Sequence, residues 1–217
     1  MNTDAADDDA PSREEIADTW RWKQDAASWQ ASLAFPGGDP ATANRWVAET
    51  VAGLLDDFTP LARVRTAMLL ADDGPTHLTL RADESYAQFR ARLLDTIGGH
   101  PLSLTDVELA VDIRVRVRTT DSPDRPELAW LSYPRTELAL HLLPEEARAW
   151  VDFSLANTLF SAFTYPDKDP NPLYPLNQPL LEAGLRRLRA RATDPLDRSG
   201  ELPGRHEFGF SPDRDDY

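Results

Sequence analysis

The chain of 217 residues contains no cysteine and only two lysines. Without cysteine there are no disulfide bonds, thiol nucleophiles or cysteine-based zinc sites, as is usual in a reducing cytosol. No apolar run approaches the roughly 18 residues that a membrane-spanning helix needs, and the first residues lack the basic and apolar regions of a secretion signal. We therefore expect a soluble, cytoplasmic protein that does not contact membranes.

The local motifs of common enzymes are also absent. There is no G-x-S-x-G elbow, Walker lysine loop or G-x-G-x-x-G fingerprint, and the four histidines show no paired metal-ligand spacing. Residues 167–171 begin like an EF-hand loop, but Pro172 replaces the required glycine and Gln178 replaces the bidentate carboxylate. We predict no metal and no cofactor, and a non-catalytic protein in preference to an enzyme.

Basic residues are fewer than acidic ones, 23 against 37, and the formal net charge is therefore -14. A polyanion repels nucleic-acid phosphates and anionic lipid surfaces, and its field accelerates encounters with basic partners. This composition predicts a basic protein partner and no nucleic acid, although acidic charge also serves solubility. Arginine supplies nearly all the cations, which is typical of high-GC bacteria.

The strongest local pattern covers residues 106–118. Every second position is apolar, and this two-residue period predicts a strand buried on one face. The apolar positions are Val107, Leu109, Val111, Ile113, Val115 and Val117. The opposite face is graded from acidic to basic along its length, with Asp106, Glu108, Asp112, Arg114, Arg116 and Arg118.

Further strands are predicted on both sides of this one. Residues 61–81 contain a turn-forming D-D-G-P and predict a hairpin, while 128–133 and 136–143 predict two strands joined through Pro134 and Arg135. Their short connections predict an antiparallel meander over 106–143. Residues 144–163 fit either a helix or a strand followed by a helix, and we favour the helix.

Four further helices are predicted. The first begins at a capping box formed by Ser12 and Glu15 and extends to Leu33. The second covers 40–58, the third follows a cap at Asp83 and the last covers 180–192. The five prolines in 165–179 predict an irregular loop there.

The expected fold is therefore α+β, with an antiparallel sheet of about five strands packed against N-terminal and C-terminal helices. We expect a single domain over residues 13–193. A disordered acidic tail should precede it at 1–12, and an extended or disordered tail should follow at 194–217.

The candidate binding residues form three groups. Glu137 and His141 should share the outward face of one strand, and the loop supplies Asp167, Asp169 and Asn171. Arg114, Arg116 and Arg118 suit an anionic ligand, since guanidinium groups bind carboxylate or phosphate bidentately. Each group also has a structural interpretation: exposed cross-strand neighbours, a solvated loop, and internal pairing with the many carboxylates.

Three functions are consistent with these patterns. The leading hypothesis is a soluble acidic protein that masks a basic partner, as immunity and antitoxin proteins do. The second is an enzyme or small-ligand binder with a pocket between the sheet and the loop 165–179. The third is a chaperone or assembly factor that holds its partner with the tryptophan-rich N-terminal helices.

Overall fold

A computed structural model describes residues 20–22, 26–117 and 126–217. These residues form an α+β fold in which three α-helices cover one face of a seven-stranded antiparallel sheet. The strands are β1 (Ala27–Ala34), β2 (Ala62–Ala71), β3 (Gly74–Thr79), β4 (Leu104–Val117), β5 (Glu127–Leu143), β6 (Arg148–Leu155) and β7 (Asp197–Ser199). The helices are α1 (Pro40–Phe58), α2 (Tyr86–Gly98) and α3 (Tyr174–Arg191).

The sheet order is β3-β2-β4-β5-β6-β1-β7. β4 contains the alternating pattern, and the prediction of a strand buried on one face is confirmed. Its apolar side chains are at most 2% exposed on the helix-covered side, whereas Asp106, Glu108 and Arg114 alternate with them. The hairpin predicted over 61–81 is also confirmed, as β2 and β3.

β5 is one long strand, so the two strands predicted on either side of Pro134 and Arg135 are in fact continuous. The β4–β5 register jumps from the pair Ala110–Glu137 to the pair Asp112–Ser132. Arg135 adopts a left-handed backbone (φ 61°) within this bulge. The bulge shifts the alternation of β5 by one residue. Even-numbered residues before it, such as Ser132, therefore lie on the same side of the sheet as odd-numbered residues after it, such as Glu137.

Two predicted helices are wrong. They are the strands β1 and β6, and with the short β7 and the union of two predicted strands in β5 the sheet has seven strands in place of about five. Residues 27–34, expected at the end of the first helix, form β1, and residues 148–155 form β6 instead of the favoured helix. Both segments also alternate, and they pair with each other across the sheet, as in Trp29 opposite Phe153. Residues 12–19 and 23–25 of the first predicted helix lie outside the described residues, as does the tail predicted over 1–12.

The last helix begins earlier than predicted, inside the proline-rich segment. Pro175 lies in the first turn of α3, where a helix has no hydrogen bond for its missing N–H group. Pro179 lies one turn further in and is tolerated within the helix. α3 contacts β1 and β4, and Gly184 lets it approach Phe58 of α1, where a Cβ atom would lie 3.0 Å from the ring.

α1 begins at Pro40 as predicted, with Asp39 accepting a hydrogen bond from the Thr42 N–H. The cap of α2 is Ser85 rather than Asp83, and it forms a capping box with Gln88. A small hairpin follows β7, made of β8 (Arg205–His206) and β9 (Gly209–Phe210). None of the helices among the described residues combines the length and apolar character that crossing a bilayer requires.

Substitution of Trp29 tests whether β1 packs in the core as a strand. The Trp29 ring is fully buried, stacks on Phe153, meets Phe210 edge to face, and donates a hydrogen bond to the His206 carbonyl at 2.9 Å. We expect Trp29→Ala to lower the free energy of unfolding by about 3 to 5 kcal/mol, because it leaves a large cavity. Urea denaturation measures this. Ser32→Ala on the exposed side of the same strand should stay within about 0.5 kcal/mol of wild type.

Candidate functional site

The helices and the buried apolar side chains lie on one side of the sheet. We call the opposite side the outer face, and none of the three described helices packs on it. The strand register places outer-face residues in rows across the strands. One row is Met68, Glu108, Ala139, Asp152 and Gln30, and the next is Leu70, Asp106, His141, Trp150 and Ser32.

His141 is clamped between two carboxylates. Its Nδ1 lies 2.7 Å from an Asp106 oxygen on β4, and its Nε2 lies 3.3 Å from an Asp152 oxygen on β6. The imidazole also stacks on Trp150, with the ring centres 5.2 Å apart and the planes 24° apart. Gln30 of β1 donates a hydrogen bond to Asp152 at 3.4 Å, so four adjacent strands contribute to the cluster.

The hydrogen bonds to Asp152 and Asp106 raise the pKa of His141 to about 9 and outweigh the opposing effect of burial. The ring is therefore an imidazolium at neutral pH, with both N–H groups donated to carboxylates. The two carboxylates lie at opposite ring nitrogens and do not converge on a common point. Among the described residues no group of three or more His, Asp or Glu is placed to hold a metal ion.

Glu137 shares the outer face with His141, as predicted. The two lie about 13 Å apart along the strand, because four residues at roughly 3.3 Å each separate them. Glu137 instead lines a cavity of about 320 Å³ with Glu108 and His77. This cavity is a concave, acidic surface over Met68 and Ala110.

The other end of the outer face carries arginine. Arg63 and Arg65 approach Asp112 at 3.2 Å and 3.4 Å, and the guanidinium groups of Arg63 and Arg114 lie 4.5 Å and 5.7 Å from the centre of the Trp130 ring. Arg116 is exposed and makes no ion pair with another described residue. Arg118 lies outside the described residues. We define the arginine half as Arg63, Arg65, Arg114 and Arg116, and the acidic half as Asp106, Glu108, Glu137 and Asp152.

The arginines of α3 behave differently, because they are paired inside the protein. Arg186 bonds Glu182 at 2.7 Å, Arg189 bonds Glu207 at 3.2 Å, and Arg191 bonds Asp57. Arg187 donates to the Asp57 carbonyl at 2.9 Å. Internal pairing therefore accounts for this arginine cluster.

The loop residues are not part of the outer-face cluster. Asp167 and Asp169 are exposed, whereas Asn171 is only 4% exposed and holds the loop together. Its Nδ2 lies 3.2 Å, 3.3 Å and 2.7 Å from the carbonyl oxygens of three residues, and its Oδ1 accepts from the Leu173 N–H. The three carbonyls belong to Thr158, Leu159 and Ser161.

Sequence reasoning missed Trp150 and Asp152, because residues 148–155 were assigned to a helix. The alternation of Ala149, Val151 and Phe153 would have placed both missed residues on the outward side. Trp150 also borders a second cavity, of about 550 Å³, at the β1–β6 end of the sheet. It is lined by Gln30, Ser32, Leu33, Leu143, Arg148, Ala149, Trp150, Thr193 and Asp194.

Comparison of the chain with protein-family models, with curated proteins and with solved structures found no match. The charge, exposure and shape of the outer face are therefore the observations from which a function is inferred.

The His141 clamp predicts a pH-dependent stability. Between pH 6.5 and about 9 the folded protein holds a proton that the unfolded chain has released. This contribution is complete below pH 6.5 and is lost as the pH rises through about 9; it is on the order of 2 kcal/mol. Urea unfolding of wild type and His141→Gln across this range measures it as the difference between the two curves.

The matched control is His77→Gln, on the exposed strand β3. It should keep the wild-type pH dependence, whereas His141→Gln should lose the downward slope above pH 6.5. A wild-type curve that stays parallel to the His141→Gln curve would show that the clamp does not hold a proton.

Asn171→Asp tests the role of Asn171 in the loop. A carboxylate offers no N–H to the three carbonyls, so we expect a loss of about 2 to 4 kcal/mol in the free energy of unfolding. Asp169→Asn makes the reverse change at an exposed position of the same loop and should be nearly neutral. Equal effects of the two substitutions would contradict a supporting role for Asn171.

Proposed function

We propose that the protein is a non-catalytic binding protein whose outer face binds and masks a basic partner protein, as immunity and antitoxin proteins do. The observation that carries the proposal is a broad sheet face without a described helix over it, half of which is acidic. Asp106 and Asp152 are held in place by His141 and remain 32% and 25% exposed. Fixed, partly exposed carboxylates lose little conformational entropy when they receive a cation.

The shape of the acidic half supports a basic side chain as the group it receives. Glu108 and Glu137 border the smaller cavity, whose floor contains Met68 and Ala110. An arginine or lysine would place its aliphatic stem against that floor and its charge at the rim. The half-buried Trp150 beside this surface is the kind of aromatic residue that anchors protein interfaces.

The state of His141 favours binding over acid–base catalysis. A general base needs a free ring nitrogen and a pKa near the working pH. His141 donates from both nitrogens, and the hydrogen bonds to Asp152 and Asp106 raise its pKa to about 9. Its charge serves instead to hold two carboxylates close together on adjacent strands.

The tryptophans of the N-terminal segment support a chaperone role less well. Trp29 is fully buried in the core. Trp22 is half-buried, and its indole N–H donates to Glu201 at 3.0 Å. Neither ring offers the open apolar stripe that such a role requires.

Charge reversal on the outer face tests the proposal. Tagged wild-type protein, Glu108→Lys and Glu49→Lys would each be incubated with lysate of the native host at about 150 mM salt. Glu49 is exposed on α1, on the opposite side of the sheet, and its reversal changes the net charge equally. We expect a basic protein to be recovered with wild type and Glu49→Lys, and to be reduced about tenfold with Glu108→Lys.

Mass spectrometry identifies the recovered protein and its isoelectric point. Equal loss of the protein with both variants would show that only the global charge matters. The proposed function would be contradicted if no basic protein were recovered, or if the Glu108→Lys variant recovered as much of it as wild type.

A further inference from the structure

The outward side chains of β4 have a symmetric charge pattern. In order they are Asp106, Glu108, Ala110, Asp112, Arg114 and Arg116. If a second β4 lies across the first in the opposite direction, with the crossing at Val111, Asp106 faces Arg116 and Glu108 faces Arg114. A twofold axis at the crossing point produces both contacts twice, as in an isologous dimer.

The rest of the outer face follows the same division. The acidic half contains four carboxylates, two of which, those of Asp106 and Asp152, contact the His141 imidazolium. The arginine half contains four guanidinium groups, two of which, those of Arg63 and Arg65, contact Asp112. Glu108 and Arg114 are about 20 Å apart along β4, which exceeds the Debye length of about 8 Å, so the halves act as separate patches of opposite sign.

The charges at the two ends of β4 are available to another molecule. Glu108 makes no ion pair with a described residue, and Arg116 is exposed and likewise makes none. Arg114 lies over the Trp130 ring, 5.7 Å from its centre, and makes no ion pair with a described residue. Each copy therefore presents a carboxylate and guanidinium groups that can pair with the opposite charges of a second copy.

We propose that two copies of this chain associate through their outer faces about a twofold axis near Val111. Glu108 of each copy then pairs with Arg114 of the other, and Asp106 with Arg116. The sheet offers sufficient area: the seven strands contain about 66 residues together, and at roughly 3.3 Å per residue and 4.8 Å between strands they cover roughly 1,000 Å² per copy. A standard specific interface needs about 800 Å² per partner.

This dimer does not depend on the basic partner, and it can be measured on the purified protein alone. If both associations occur, they compete, because a partner on the acidic half would cover the residues that the second copy uses. The two proposals therefore fail separately: the host-lysate experiment can be negative while the purified protein dimerises, and the reverse is equally possible.

Sedimentation equilibrium of the purified full chain tests the dimer. Wild type should reach twice the chain mass of 24.3 kDa as its concentration rises. Glu108→Arg and Arg114→Glu should each weaken association about tenfold or more, because each places like charges opposite one another twice. The two substitutions change the net charge in opposite directions, so an equal loss cannot come from overall repulsion.

Two further samples complete the design. The double variant with both substitutions should dimerise again, since it only exchanges the positions of the two charges. An equimolar mixture of the two single variants should form a mixed dimer, because the arginine introduced in one chain then faces the glutamate introduced in the other. Association in the mixture also shows that the single variants are folded.

A wild-type protein that remains at 24.3 kDa at all concentrations would overturn the proposal. Single variants that dimerise like wild type would also overturn it, as would a mixture of single variants that stays monomeric. Glu49→Arg on α1 is the control and should leave the association unchanged.

Discussion

Every second side chain of β4 is buried against the helices, so the others face the opposite side of the sheet. The neighbouring strands of the sheet have the same two faces, one apolar and one polar. The neighbours of β4 pair with it residue by residue, so their side chains follow the same alternation. The helices can cover only the apolar side. The outer face is therefore a direct consequence of the β4 pattern, and its charges are ordered in rows because the strands are in register.

Carboxylates collected on one side of a sheet repel one another, which makes His141 and the bulge in β5 structurally important. The imidazolium lies between Asp106 and Asp152 and offsets the repulsion between adjacent strands. The bulge at Arg135 keeps Trp130 on the same side as His141 despite the change of register, so Trp130 can support Arg63 and Arg114. The register shifts in β5 and, between Val64 and Thr66, in β2 thus allow two oppositely charged halves on a single face.

Local pattern sufficed for the long strand, the hairpin and the helices α1 and α2, whose periods are strong over many residues. It failed for β1 and β6, since eight residues rich in alanine or aromatics fit a helical or a strand period almost equally well. Only their mutual pairing, as in Trp29 with Phe153, decides between them, and that contact is remote in sequence. Because β6 was predicted as a helix, the outer-face positions of Trp150 and Asp152 were not predicted. The strand predicted over 136–143 did place Glu137 and His141 on the same side of the sheet.

The position of β1 in the sheet has a consequence for folding. β1 lies between β6 and β7, and Trp29 pairs with Phe153 on one side and Arg198 on the other. During synthesis β1 must therefore wait for two partner strands that are made much later. Until then its apolar face and both of its hydrogen-bonding edges are exposed, so closure of the sheet should be slow and the nascent chain vulnerable to aggregation.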